Sequence, residues 1–310
     1  MKTIAFVCSY LLRYSIRIFQ IFHLNSIGYL LYRIRCKLII SYLSNDCRDI
    51  LYAFKKATTN ANFSPLEDTK NLPIFIFWYQ GINTAPQIVK KCVESIRKNA
   101  NTHPVCMLDK DNLSRYIEIP QYIQTLVDEG RITLTHYSDI VRVKLLRKYG
   151  GLWMDSTLFC VSAIPERYFT LPYFCGAKLE KPLDKWHLSD YKWSVSFMGS
   201  CYKESRIFSF LDDCFMTYWR KNNKLIDYFL VDFFVYIAKQ ELIDISKQMM
   251  ESPFCEQHMY DLQTLLNQPF DEKIFLEYKV TNCCFKVSYK LKEHNEICNK
   301  KLFKEVLFEQ

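Results

Sequence analysis

HYSDIVRVKLLRKYGGLWMDST, residues His136 to Thr157, runs a helix through a paired glycine into a strand that ends on a carboxylate. Only 7 of the 310 residues are glycine, so the adjacent Gly150 and Gly151 are conspicuous. Gly150 suits the left-handed stop of a helix. The pattern predicts a helix over Tyr137 to Tyr149, with Ser138 or Asp139 near its start, then a strand over Gly151 to Phe159. Leu152, Trp153 and Met154 lead to Asp155 at a carboxyl end.

The side chains in this stretch suit a polar ligand. Asp139 and Arg142 are three apart and share a helix face. An Asp accepts hydrogen bonds from sugar hydroxyls, and an Arg holds a phosphate or a sugar oxygen through its fork of donors. Asp155 is a ligand for a hard divalent cation that also takes phosphate oxygens. Trp153, two residues earlier, points to the same side of the strand. The same residues also fit plainer roles: a helix-surface ion pair, a turn cap and a core indole.

Upstream, PIFIFWYQG (Pro73 to Gly81) predicts a buried strand, and Thr84 to Ala100 a helix with Ile88, Val89, Cys92, Val93 and Ile96 on one face. His103 to Leu108 is a second strand. Asp109 and Asp111 follow it and either touch a nucleotide or cap the next turn. Short helices follow over Leu113 to Tyr116 and Pro120 to Glu129. Strands alternating with helices predict an α/β fold with a mostly parallel central sheet, ligands lying at the carboxyl ends of its strands. Downstream, Trp193 to Met198, Ile274 to Val280 and Phe285 to Tyr289 are expected strands. Arg206 to Arg220 and Leu225 to Lys239 are expected helices. No internal repeat occurs.

The first 56 residues differ from the rest. They hold nine Lys or Arg against two Asp, so they carry +7 of the chain's net +8. Residues 4 to 43 are rich in aliphatic and aromatic side chains, but Arg13, Arg17, His23, Arg33 and Arg35 interrupt every apolar run. This predicts two helices, split near Asn25 to Gly28, lying on an anionic membrane face through residues 1–45 rather than spanning it. A helical hairpin packed on the main domain is the other reading. Residues 57–72 are polar and suggest a linker.

Composition narrows the function. With 49% hydrophobic and 24% charged residues, the chain is neither disordered nor polytopic. It has no Gly-rich dinucleotide fingerprint and no P-loop. Nucleic acid is not an expected partner, because no recognition motif accompanies the basic residues. The 13 cysteines form no C-x-x-C pair, which suggests free thiols and a cytoplasmic location. No zinc spacing or Ser/Cys–His signature is present.

Ser138, Asp139, Arg142, Tyr149, Gly150, Gly151, Trp153 and Asp155 resemble the S-D-x-x-R, Y-G-G and D-x-D pattern of the capsular polysaccharide synthesis proteins, which are similar to the DXD-containing sugar-transfer glycosyltransferases (glycosyltransferase family 32-like). WYQGINTAPQIVKKCVES (Trp78 to Ser95) and FMTYWRKNNKLIDYFLVDFF (Phe215 to Phe234) resemble other segments of that family, so the likeness covers roughly residues 73–235.

The resemblance implies a GT-A-like fold with an N-terminal helical extension. It also implies transfer of a sugar from a nucleotide-sugar donor to a saccharide or lipid-linked saccharide acceptor of a surface polysaccharide, on the inner face of the cell membrane. It places Gln80, Asp139, Arg142, Gly151 and Trp153 around the donor. Asp155 would be catalytic, and with Thr157 it would occupy the metal position for Mn²⁺ or Mg²⁺. Apart from the resemblance, Asp232 or Asp227 in LIDYFLVDFF is a catalytic candidate if a general base is needed, and each equally suits a helix cap or a structural carboxylate. The second Asp of D-x-D is Thr157 here, a much weaker ligand, so metal dependence is in question. Residues 73–310 would form the catalytic domain, with 73–160 on the donor side and 161–310 on the acceptor side. A sugar-phosphate transferase and a non-catalytic scaffold of the assembly machinery are the alternatives.

Overall fold

The computed structural model describes residues 2–57, 69–290 and 301–308. Three helices open the chain: α1 (Lys2–Ile21), α2 (Asn25–Asp46) and α3 (Arg48–Lys56). Next come β1 (Ile74–Phe77), α4 (Gln87–Asn99), β2 (Val105–Leu108), α5 (Gln121–Asp128), α6 (Leu134–Tyr149) and β3 (Gly151–Met154). They are followed by β4 (Leu158–Cys160), β5 (Phe174–Cys175), β6 (Phe197–Ser200), α7 (Arg206–Lys221), α8 (Leu230–Glu241) and α9 (Ile243–Glu251). The last elements are α10 (Leu262–Leu265), α11 (Glu272–Thr281), β7 (Cys284–Lys286) and α12 (Phe303–Phe308). Of the expected linker over 57–72, residues 58–68 lie outside the described residues.

The main sheet has the order β2-β1-β3-β6-β5. β1 pairs in parallel with β2 and β3, while β6 is antiparallel to β3 and β5 to β6. Four of the five strands therefore point the same way. Strand alternation divides the interior. Ile74, Ile76, Leu152 and Met154 face a core shared with Val93 and Ile96 of α4. Phe75, Phe77 and Trp153 face a second core built by α6, α7, α8 and α2. Burial on both faces is why β1 reads as an unbroken apolar run, IFIF. A third, smaller core lies under the two-stranded β4–β7 sheet. β5, β6 and β7 all come from beyond residue 160, so the second half of the chain completes both sheets.

The joint between α6 and β3 depends on its glycines. Gly151 has φ +82°, and a Cβ there would lie 2.2 Å from the Pro73 carbonyl oxygen. Gly150 has φ +67° and faces the Ser200 and Tyr202 carbonyls at 3.0 Å. Side chains at these two positions would push β3 away from its neighbours.

Several elements differ from the sequence expectation. α6 begins at Leu134, earlier than Tyr137, because Thr133 is its N-cap and accepts from the His136 N–H. Ser138 and Asp139 lie in its second turn. The strand expected over Gly151 to Phe159 breaks at Asp155, where the Leu158 N–H donates to the Asp155 carbonyl and turns β4 into another sheet. Ile274 to Val280 is helical rather than a strand. Asp271 caps α11 by accepting from the Lys273 and Ile274 N–H groups, which fixes the first turn before the β-prone residues begin.

The N-terminal helices form a hairpin, α1 against α2, docked on the main domain. Ile39 and Leu43 of α2 are fully buried in the α7–α8 core. Arg35 is also buried: it pairs with Asp227 at 2.6 Å and donates to the Ser9 carbonyl at 2.9 Å. Arg35 therefore ties the hairpin to the domain and is not available to a membrane. Ile4–Ile21 in α1 is long and apolar enough to cross a membrane, with mean hydropathy 1.3. Arg13 and Arg17, expected from the sequence to interrupt the apolar run, both lie inside that stretch. Ile4, Val7, Leu11, Tyr14, Ile18 and Ile21 form an exposed stripe at three- and four-residue spacing, and Arg13 and Arg17 are exposed on the same helix.

Candidate functional site

A cleft of about 690 Å³ opens where β1 and β3 end. Trp78, Tyr79 and Gln80 line it just past β1, and Asp155, Ser156 and Thr157 just past β3. Arg142 and Ser138 come from α6, Tyr228 from the turn before α8, and Lys286 to Lys290 from β7 and its continuation. The site therefore forms at the carboxyl ends of parallel strands, where such sheets leave a crevice.

Asp155 is at its centre. Its N–H continues the β3–β6 ladder by donating to the Ser196 carbonyl at 2.9 Å, which fixes the backbone. Oδ1 accepts from Trp153 Nε1 at 2.7 Å and from Arg142 at 3.1 Å. Oδ2 is in direct contact with the Lys286 ammonium. Burial disfavours the charged form of Asp155, but Lys286 and Arg142 outweigh it and hold the carboxyl below its ordinary range.

Arg142 spans two acids. It donates to Asp139 at 2.7 Å as well as to Asp155, and its guanidinium stacks 4.9 Å from the centre of the Trp153 ring. Asp139 lies behind Arg142, buried. Burial pushes its carboxyl up to about 6 against the pull of Arg142. His136 approaches the other Asp139 oxygen at 3.4 Å, and burial lowers that imidazole to about 4, so it is neutral.

The expected residues thus divide. Gln80, Arg142, Trp153, Asp155 and Thr157 meet on the cleft. Asp139, expected beside the donor, does not line the cleft; it is buried behind Arg142 and accepts from it. Gly151 does not line the cleft, because it is packed beneath Pro73. Asp232 does not line it either. It accepts from Trp193 Nε1 at 2.9 Å and faces an adjoining cavity of about 160 Å³, where burial pushes it up to about 7. Asp227 is paired with Arg35 and caps the approach to α8 by accepting from the Phe229 N–H. Asp109 caps its own turn through the Asp111 and Asn112 N–H groups.

Lys286, Lys290, Tyr228 and Tyr260 escaped the sequence reading. The available signal was a lone lysine in the short apolar run CCFKV, Cys283 to Val287, where a charge must have a partner. Antiparallel pairing sets Lys286 opposite Leu158, and the Val287 N–H donates to the Thr157 carbonyl. A partner 131 residues away cannot be read from spacing.

The donor set does not fit a resident divalent cation. Thr157 offers only a neutral hydroxyl, and both Asp155 oxygens already have donors. A dication within coordination distance of Oδ2 would stand about 4 Å from the Lys286 ammonium. Their like charges repel, so Lys286 would have to leave Asp155 before a dication could take its place. Among the described residues, the Glu256, Cys283 and Cys284 cluster lies elsewhere. It is fully buried behind β7, and Glu256 already accepts from the Tyr168 hydroxyl and two backbone N–H groups.

The model of the family described as "Capsular polysaccharide synthesis protein" matches residues 24–306. The chain belongs to that family. The match starts just past α1 and reaches beyond β7, wider than the 73–235 expected, and it takes in Asp155, Arg142 and Lys286 together. Two curated proteins are similar over part of the chain. O-glycosyltransferase braB of Annulohypoxylon truncatum is 24% identical over 41% of this chain and 30% of its own length. Glycosyltransferase afumC of Aspergillus fumigatus is 26% identical over 43% of this chain and 34% of its own length. The chain thus spans about a third of the length of these relatives. Among solved structures, a chain titled PaToxG Glycosyltransferase is 15% identical with a TM-score of 0.40, covering 70% of this chain and 83% of that one.

Proposed function

We propose that this family member is a glycosyltransferase. In this reading it has a GT-A-like domain that moves a sugar from a nucleotide-sugar donor to a saccharide or lipid-linked saccharide of a surface polysaccharide. One observation carries the reading: Arg142, Lys286 and Lys290 line the cleft against the single carboxylate of Asp155. Counting Asp139 behind Arg142, three cations still outnumber two acids, which favours an anionic ligand, and the volume suits a nucleotide sugar. Trp78, Tyr79, Tyr228 and Tyr289 supply aromatic walls on which a base or sugar ring can stack. The family description and the relatives' names point the same way.

The chemistry follows from these groups. An acceptor hydroxyl attacks the anomeric carbon of the donor. The bond from that carbon to the phosphate oxygen breaks, and its electrons leave on the nucleoside diphosphate, while the hydroxyl proton passes to solvent. Negative charge grows on the diphosphate, where Arg142 and Lys286 oppose it. Asp139 and Trp153 fix Arg142 and Asp155 in advance, so little reorganisation is needed. The decisive test is incubation with a panel of UDP- and GDP-sugars. One of them should release nucleoside diphosphate and free sugar. Asp155→Asn, which keeps the shape of the side chain but not the charge that holds Arg142 and Lys286 in place, should cut that release sharply, and undiminished turnover would remove Asp155 from the mechanism.

The exposed stripe of α1, with Arg13 and Arg17 on the same helix, suits peripheral contact with an anionic membrane on its cytoplasmic face. Because α2 is packed into the core from Arg35 onward, the contact is assigned to α1, the turn after it and the exposed first turns of α2 (Ile27, Leu30, Ile34). Leu11→Glu with Ile18→Glu should reduce sedimentation with anionic vesicles while turnover persists. Unchanged sedimentation would contradict the contact.

A further inference from the structure

The pattern that resembles a metal-binding D-x-D is interrupted at Thr157, and an ammonium from a distant strand rests on the acid that remains. The charges around Asp155 show what that ammonium does. Asp139 and Arg142, both buried, and the half-buried Asp155 form a continuous chain through contacts of 2.7 and 3.1 Å. Alone, this trio carries one net negative charge and would repel a diphosphate unless a cation came between them. Lys286 brings the group to zero through its contact with Asp155. Lys290, farther along the same wall, makes the lining positive.

The position of Lys286 is built into the fold. β7 is laddered to β4, whose first residue, Leu158, pairs with Lys286. The Lys286 N–H also donates to the Met259 carbonyl at 2.7 Å. The strand that carries the ammonium is therefore locked to the strand that follows Thr157. An ammonium has three donors. With one directed at Asp155, two remain for phosphate oxygens entering the cleft.

We propose that Lys286 fills the place a divalent cation would take beside Asp155, so that this chain holds the leaving nucleoside diphosphate with its own ammonium and guanidinium and needs no metal ion to do so. The inference rests on the reading of the cleft as a nucleotide-sugar site. It deepens that reading by assigning the leaving-group contact to Lys286.

Calorimetric titration of the full chain with UDP and with GDP, in EDTA and in Mn²⁺, tests it without relying on turnover. The wild-type affinity for the preferred nucleotide should agree within about threefold in the two buffers. Lys286→Ala should weaken binding in EDTA at least about tenfold, the usual weight of a charge-assisted bond. Lys286→Arg, which keeps the charge, should recover most of the loss. The wild-type comparison stands even if Lys286→Ala fails to fold. Binding that disappears in EDTA, returns with Mn²⁺ and is indifferent to Lys286→Ala would overturn the inference and leave the nucleotide site intact. Absence of binding in both buffers would overturn the inference and the nucleotide-sugar reading together.

Discussion

Arg142→Met is the most informative single change to this charge chain. The substitution keeps much of the side-chain volume and removes the guanidinium from between two carboxylates. Arg142 and Asp139 are both more than nine-tenths buried, so water cannot take over. Asp139 is already pushed up to about 6 with the guanidinium present. Without it the carboxyl binds its proton more tightly still and stays protonated at pH 7. Each further tenfold rise in that proton affinity costs about 1.4 kcal/mol, and the loss of charge-assisted bonds adds about 1.5–3 kcal/mol. The sum, roughly 3–4 kcal/mol, agrees with the usual cost of breaking a buried pair.

The pH dependence has a definite sign. An acid whose folded pKa lies above its unfolded value stabilises the fold least at high pH. In the wild type that loss is complete once pH passes about 6. In Arg142→Met it continues above 6, so the deficit should widen between pH 6 and 8. Urea unfolding followed by circular dichroism at pH 5, 7 and 8 measures this. Asp139→Asn added to Arg142→Met should remove the pH-dependent part, because an amide does not ionise. A deficit under about 1 kcal/mol that is flat with pH would refute the picture of a mutually dependent trio.

Two further changes follow from the same geometry. Asp232, pushed up to about 7 by burial, lowers stability as pH rises from about 4 to 7. Asp232→Asn keeps an oxygen for Trp193, so its stability advantage over the wild type should grow across that window in thermal unfolding at pH 4.5 and 8. An advantage that shrinks with pH would refute this assignment. Gly151→Ala would place a methyl 2.2 Å from the Pro73 carbonyl at φ +82°. It should cost more than about 3 kcal/mol and leave little soluble protein, whereas a normal melting curve would mean that β1 and β3 are not held together as described.

The sheet and half of the site were legible because their signals are local. IFIF announces a strand buried on both faces, Gly150 and Gly151 mark the joint, and Asp139, Arg142, Trp153 and Asp155 fall within 17 residues. What was not legible depends on distant contacts. Lys286 reaches Asp155 only because β7 pairs with β4, and Arg35 belongs to the interior only because Asp227 comes to meet it. The start of α6 and the helical state of α11 were set by caps, Thr133 and Asp271, that lie just outside the periodic runs. The resemblance to D-x-D drew attention to Thr157 as a weakened ligand, but the spacing held no sign of the lysine that faces the remaining acid.

Crystals of the full chain grown with a nucleoside diphosphate give the most direct measurement of where the ligand's charge lies. The diphosphate should span Arg142 and Lys286, with oxygens at hydrogen-bond distance of roughly 3 Å from both nitrogens and the base against the aromatic wall at Trp78. A nucleotide seated elsewhere, or one whose phosphates turn away from these two cations, would contradict the account.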